Sequence, residues 1–283
     1  MKDAATKPYR GRNRAARNGD AAARGPKDRR PGSRAEAGAG IVWLYGRHAG
    51  AAALANPDRR IKRAFATKNA FDWLKTQNIS ETRIAKIEDA RPDAIDRLLP
   101  VGAVHQGLAV EAFDLDRARL KDVCLIDEQR RPVVVLDQIT DPQNIGAVFR
   151  SAAAFGARAA IVQERRTPPL AGALAKAAAG AVETLPCVKA VNIARSLEAL
   201  KDIGYHCAGL AGESDTPISA LPTDKPVAIV LGAEGAGLRQ LVGETCSALY
   251  RIPIAREMES LNVSNAAAIA LYEATRIAGD GDR

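Results

Sequence analysis

The chain has 283 residues, 47% hydrophobic and 26% charged, an ordinary globular mixture that buries a core without disulfide or metal staples. Its four cysteines (Cys124, Cys187, Cys207, Cys246) form no CxxC pair and only three histidines accompany them, which disfavours a zinc site and a disulfide framework, and no apolar run approaches the roughly 18 to 20 residues of a membrane span. A reducing, cytoplasmic setting is expected, with no metal and no membrane, and the N-terminus lacks the apolar stretch of a secretion signal. The charge of +8 is uneven: residues 1–38 hold 11 Lys and Arg against 4 Asp and Glu, the remainder 30 against 29.

Segment 1–38 is rich in Gly, Pro, Arg and Ala without apolar periodicity, and reads as a disordered basic tail able to bind a polyanion through counterion release. A short apolar strand begins order at Ile41–Tyr45, and a helix is expected over 49–55. Residues 61–66 alternate like a half-buried strand. Helical stretches are expected at 71–74 and 93–99, and a strand at 107–113. These form a small α/β domain, 41–113, with a basic face of Arg47, Arg59, Arg60, Lys62, Arg63 and Lys68 expected to be exposed. Residues 114–131 are highly charged and read as a linker able to dock on either side.

From Pro132 the alternation is cleaner. Strands are expected at 133–139, 159–163, 185–188, 205–210, 227–231 and 249–254. Helices are expected at 144–155, 170–182, 191–203 and 262–278. Strand–helix alternation with β-branched runs predicts a mostly parallel sheet covered on both faces, an α/β domain over 132–279.

Three stretches fall where such sheets bind ligands, beyond the carboxyl ends of strands. The first runs from Asp137 through Asn144 to Arg150. Asn144 has the side chain of an N-cap, and an amide with a guanidinium also suits a phosphate and a ribose. The second, Leu231-Gly232-Ala233-Glu234-Gly235-Ala236-Gly237-Leu238, has the order GxxGxG, which is neither the dinucleotide GxGxxG nor a P-loop. Its carboxylate, Glu234, would repel phosphates, so an uncharged or cationic ligand fits better. This argues against a nucleotide-dependent oxidoreductase. The third, Arg251-Ile252-Pro253-Ile254 with Glu259-Ser260-Leu261-Asn262-Val263-Ser264-Asn265, clusters more small polar side chains than one helix start needs for capping.

In this order and spacing, the runs 144–150, 229–238 (IVLGAEGAGL) and 252–273 (IPIAREMESLNVSNAAAIALYE) resemble the three motifs of the SpoU (TrmH) family of RNA ribose 2'-O-methyltransferases, most closely its RlmB-like rRNA guanosine branch. Gly46-Arg47-His48 and His105-Gln106-Gly107 are similar to that branch's small substrate-binding domain. The resemblance implies a SPOUT domain with a deep trefoil knot, S-adenosylmethionine as cofactor, RNA (rRNA foremost) as partner, and a homodimer with its active site near the subunit interface. It places Asn144, Arg150, Glu234, Ser260 and Asn262 at the reaction site, and Leu231, Gly232, Gly237, Ile252, Pro253 and Leu261 around the cofactor. Asn265 stands where the family often has Val and is assigned no role. The alternatives are a tRNA ribose 2'-O-methyltransferase and a non-catalytic RNA-binding or ribosome-assembly protein on the same fold.

Overall fold

The structure, a computed structural model, describes residues 40–255 and 257–279; the basic tail expected over 1–38 lies outside them. The first elements are β1 (Ile41–Tyr45), α1 (Arg47–Ala55), β2 (Ile61–Ala66), α2 (Lys68–Leu74), α3 (Glu81–Ile84), β3 (Ile87–Asp89), α4 (Pro92–Asp96) and β4 (Leu108–Phe113). Their strands form a four-stranded sheet in the order β1-β4-β2-β3, antiparallel except for the β2–β3 pair. Local chemistry sets the helix starts. Gly46 turns into α1 at φ 90°, Thr67 Oγ1 accepts the Ala70 N–H at the start of α2, and Pro92 opens α4.

The chain then passes through α5 (Leu120–Val123) into β5 (Val133–Leu136), α6 (Pro142–Ala154), β6 (Ala159–Gln163), α7 (Gly172–Ala177), α8 (Ala181–Thr184), β7 (Cys187–Ala190), α9 (Ile193–Ile203), β8 (His206–Leu210), β9 (Val227–Leu231), α10 (Gln240–Thr245), β10 (Ala248–Tyr250) and α11 (Val263–Gly279). The six strands form one sheet, β10-β8-β9-β5-β6-β7, with every pair parallel. The α/β class with a parallel sheet is therefore observed as expected. The central strands read VVVL, AAIVQ and VAIVL because helices cover both faces. On one face Leu44, Leu108 and Val110 of the small sheet share a single apolar cluster with Val134, Leu136, Phe149 and Leu271. On the other, Val133, Val135 and Ile161 pack against Leu197 and Leu200. Cys124, at the end of α5, is buried in that second cluster, so the segment expected as a linker docks on the large sheet.

Several boundaries differ from the sequence expectation. The strand expected over 133–139 stops at Leu136, because Gln138 turns left-handed at φ 60°. The helix expected over 170–182 is two short ones, divided at Ala179 and Gly180, both at positive φ. The strand expected to reach Ile254 ends at Tyr250, ahead of Pro253, which has no N–H for a ladder. Asp141, not Asn144, caps α6: its carboxylate accepts the Asn144 N–H at 2.9 Å.

The expected basic face is also corrected. Arg59 is buried, its guanidinium bonding Glu183 at 2.6 and 3.0 Å and the Phe113 carbonyl at 2.9 Å. Lys62 and Arg63 are exposed but pair with Glu111, whose carboxyl they hold below the usual carboxylate range. Arg60 and Lys68 remain exposed, and Arg47 is half-buried.

Candidate active site

Beyond the C-terminal ends of β9 and β10, residues 231–240, 249–252 and 259–261 surround a cavity of about 660 Å³. The glycine order in its rim has a physical cause. Residues 233 and 237 bridge, Ala233 N–H donating to the Gly237 carbonyl at 3.1 Å and Gly237 N–H to that of Ala233 at 2.8 Å. A Cβ on Gly232 would lie 2.1 Å from the Gly237 carbonyl carbon, so the two chain segments touch only because residue 232 is glycine. Gly235 and Gly237 adopt φ 77° and 65°, the left-handed conformation that closes the loop. One end of the loop is tied down by a side chain to which the sequence alone assigned no role. Asp137, fully buried at the end of β5, accepts from Arg239 Nη2 at 2.5 Å, Nε at 2.9 Å and the backbone N–H at 3.1 Å.

At the tip, Glu234 Oε1 accepts from Asn144 Nδ2 at 3.1 Å, Asn262 Nδ2 at 2.9 Å and the Val263 N–H at 3.3 Å. Asn262 Nδ2 also donates to Asn144 Oδ1 at 3.0 Å, while its own Oδ1 takes the Ser264 N–H and hydroxyl at 2.9 and 2.5 Å. Three residues, separated by 90 and 28 positions, thus form one polar cluster over the first turn of α11. A carboxylate there is favoured by the helix dipole.

The sequence comparisons fit this arrangement. Residues 131–272 match the model of the SpoU rRNA Methylase family. The chain belongs to that family. Among its relatives, a Vibrio cholerae protein named 23S rRNA (guanosine-2'-O-)-methyltransferase RlmB is 38% identical over 238 residues, which cover 82% of this chain and 96% of the relative. A Burkholderia protein of the same name is 42% identical over 173 residues, 61% of this chain and 70% of that one. The crystal structure of the SpoU methyltransferase AviRb from Streptomyces viridochromogenes superposes with a TM-score of 0.68 at 24% identity, covering 86% of this chain and 91% of that one, a likeness of fold.

Of the residues expected around a SpoU cofactor, Leu231, Gly232, Gly237, Ile252 and Leu261 line the cavity, and Pro253 stands outside its lining. Of the reaction-site residues, Glu234 and Ser260 line it, and Asn144 and Asn262 join through Glu234. Arg150 is not brought to this cluster within the chain. It lies six residues along α6 from Asn144, about 9 Å down the axis and on another side. There it is exposed, with no partner among the described residues, in a second concavity with His48, Ala52, Gly180 and Thr184. Asp137 and Ser264 stand in the stretches singled out from sequence but were assigned no role there. A lone acidic residue ending a run of buried valines was the signal for the first; nothing local marks the second above its neighbours. The four thiols are free and not poised as nucleophiles: burial pushes Cys187, Cys207 and Cys246 up to about 12 and Cys124 to about 11.

Proposed function

We propose that the chain transfers a methyl group from S-adenosylmethionine to the ribose 2'-hydroxyl of a guanosine in 23S rRNA. The observation that carries this reading is the joining of Asn144, Glu234 and Asn262 at the mouth of a closed glycine-loop cavity. The cavity suits the cofactor. Its volume is in the range of small-molecule sites, and Leu231, Leu238, Leu249, Ile252 and Leu261 offer an apolar bed for an adenine. Backbone of the Gly232–Gly237 loop is open to polar edges, because Gly235 and Gly237 carry no side chain and face open space. When bound, the cofactor supplies an electrophilic methyl on a sulfonium.

The chain's own residues then have three tasks. The Glu234–Asn144–Asn262 cluster holds the three loops in register beside the ribose. Ser260 lines the cavity where it can contact the sugar. Arg150 stabilises the negative charge that grows on the 2'-oxygen as it attacks, while the hydroxyl proton leaves to solvent. A guanidinium with a pKa above about 12 is a poor base, so its role is electrostatic.

The same reading includes a trefoil knot in the SpoU domain, a cytoplasmic location and a homodimer. Arg150's place apart from the cluster supports a dimer in which one protomer's Arg150 serves the site of its partner. The small residues Ala267, Ala270 and Ala274 of α11 are buried in the protomer's own core and are not open to a partner copy; Ile269 and Tyr272 are the exposed large apolar residues of α11 among the described residues. Domain 41–113 selects the RNA, and the basic tail 1–38 adds nonspecific affinity. Ribose-methylation mapping of rRNA from cells with and without the protein tests the activity. Loss of one 2'-O-methylguanosine from 23S rRNA is expected, and identical maps would refute the proposal.

A further inference from the structure

The small domain carries a third concavity, about 540 Å³, far in sequence from the glycine loop. Pro92, Ala103 and Val104 supply an apolar wall, and Arg47, Asn69 and Gln106 supply polar groups. The turn that builds it is strained and tightly packed. Gln106 is a non-glycine residue at φ 51° and Gly107 follows at φ 80°, where a Cβ would come within 2.3 Å of Thr67 Oγ1. Such strain persists where the surroundings over-determine it, and it clusters at binding sites. His105 fixes the turn from within. Its Nδ1 accepts the Gly107 N–H at 3.0 Å, and Nε2 faces Asp96 Oδ1 at 3.2 Å, so both ring nitrogens are used.

The remaining polar groups are not used. Asn69 is exposed and has no hydrogen-bond partner among the described residues. Gln106 Oε1 accepts the Arg47 N–H at 3.1 Å, which leaves its amide hydrogens without a partner among the described residues. Arg47 lies 5.7 Å from the Trp73 ring centroid, its Nε enclosed and unpartnered. Arg47 therefore presents a planar cation, held in place by a ring rather than by a carboxylate. Val104 is more than half exposed beside it.

We infer that this concavity binds an unpaired RNA nucleobase, the apolar wall and the Arg47 plane taking its faces and Asn69 and Gln106 its edge. Planar guanidinium stacking and amide contacts to base edges are how single-stranded RNA is read. Duplex RNA cannot enter, because its bases are stacked. A phosphate alone leaves the apolar wall unused. The inference rests on the RNA-modifying reading above, and it gives the small domain a defined contact in place of the basic face that Arg59 and Glu111 remove. Its position is suitable, since the next residue, His48, lines the concavity that holds Arg150. One strand of RNA passing over the first turn of α1 would meet both.

The test uses the full chain with two probes, an RNA hairpin with a seven-nucleotide unpaired loop and a blunt RNA duplex of the same length, beside methylation assays on unmodified 23S rRNA. Wild-type protein is expected to bind the hairpin more tightly than the duplex. Asn69→Ala should weaken hairpin binding about fivefold, as loss of one net hydrogen bond does, and raise KM for 23S rRNA to match, with kcat and cofactor affinity unchanged. Ultraviolet cross-linking of the wild-type protein should join RNA to peptides containing residues 103–107. Equal affinity for hairpin and duplex, or wild-type KM in Asn69→Ala with no cross-link to that turn, overturns the inference. Hairpin preference and cross-linking without any methylation would uphold the pocket and refute the activity instead.

Discussion

The buried pair Arg59–Glu183 gives a strong energetic test. Both side chains are almost inaccessible, at 1% and 3% exposure, so the two charges depend on each other for solvation. Glu183→Ala removes the acceptor of Arg59 Nε and Nη2 and also the 2.8 Å bond from Asn56 Nδ2 to Glu183 Oε2; the guanidinium keeps only its Nη1 bond to the Phe113 carbonyl, and Asn56 Nδ2 keeps a 3.5 Å bond to the backbone carbonyl of residue 183. Breaking one half of a buried pair costs about 3–5 kcal/mol. The site has little freedom to relax, because Arg83 ties down the turn that carries Arg59, donating to the carbonyls of Leu54, Asn56, Pro57 and Arg59 at 2.6 to 3.1 Å. The upper half of that range is therefore expected, and a fall in Tm of about 8–20 °C at the usual 2–4 °C per kcal/mol. Urea unfolding followed by circular dichroism measures it. Arg59→Met with Glu183→Leu should recover most of the loss, since an apolar pair carries no desolvation cost. A Glu183→Ala protein within 1 kcal/mol of wild type would show that the pair is solvated and the argument wrong.

Two further outcomes follow from the site. Gly232→Ala places a methyl inside the Gly237 backbone, so loop and cavity must shift; a stability loss of about 1–3 kcal/mol should accompany loss of S-adenosylmethionine binding by calorimetry, and unchanged binding would exclude a cofactor seat on this loop. Arg150→Ala should lower kcat about 100- to 1,000-fold with cofactor affinity intact, Arg150→Lys should recover part of the rate and lose it as pH discharges the ammonium, and a normal kcat for Arg150→Ala would return this residue to an ordinary solvated surface.

The fold was legible because its signals are local. Short β-branched runs such as VVVL and VAIVL read as strands buried on both faces, and Asn192 and Gly204 mark the two ends of α9 by capping and a left-handed stop at φ 115°. Short elements were not legible: β3 and α3 have no fully buried residue and hence no periodicity to read. Burial of charge was not legible either. Arg59 stands in the run Pro57-Asp58-Arg59-Arg60-Ile61-Lys62-Arg63, which reads as solvated, and its partner lies 124 residues away. At the site, the three motifs were recognisable but their internal roles were not. Asp141 and Asn144 are both good capping residues one turn apart, and only the observed bond from Asn144 N–H to Asp141 shows which one caps. That assignment is what frees the Asn144 side chain for Glu234.

The anchored and unanchored parts of the site have different duties. Glu234 Oε1 takes three donors and the two oxygens of Asp137 take three donor groups of Arg239, so both carboxylates hold the glycine loop. The loop's shape is thereby set before any ligand arrives, which lowers the ordering cost of binding. Asp137, buried and with both oxygens engaged, has no room to take a proton from a sugar hydroxyl, whereas Glu234 keeps its Oε2 without a partner among the described residues. Arg150 is the opposite case: exposed, without a partner among the described residues, and with no structural duty that its loss would disturb. A cation left free in this way can act on a charge that exists only during reaction. Substitutions in the anchored set should therefore remove binding and rate together, whereas substitutions at Arg150 should remove rate alone.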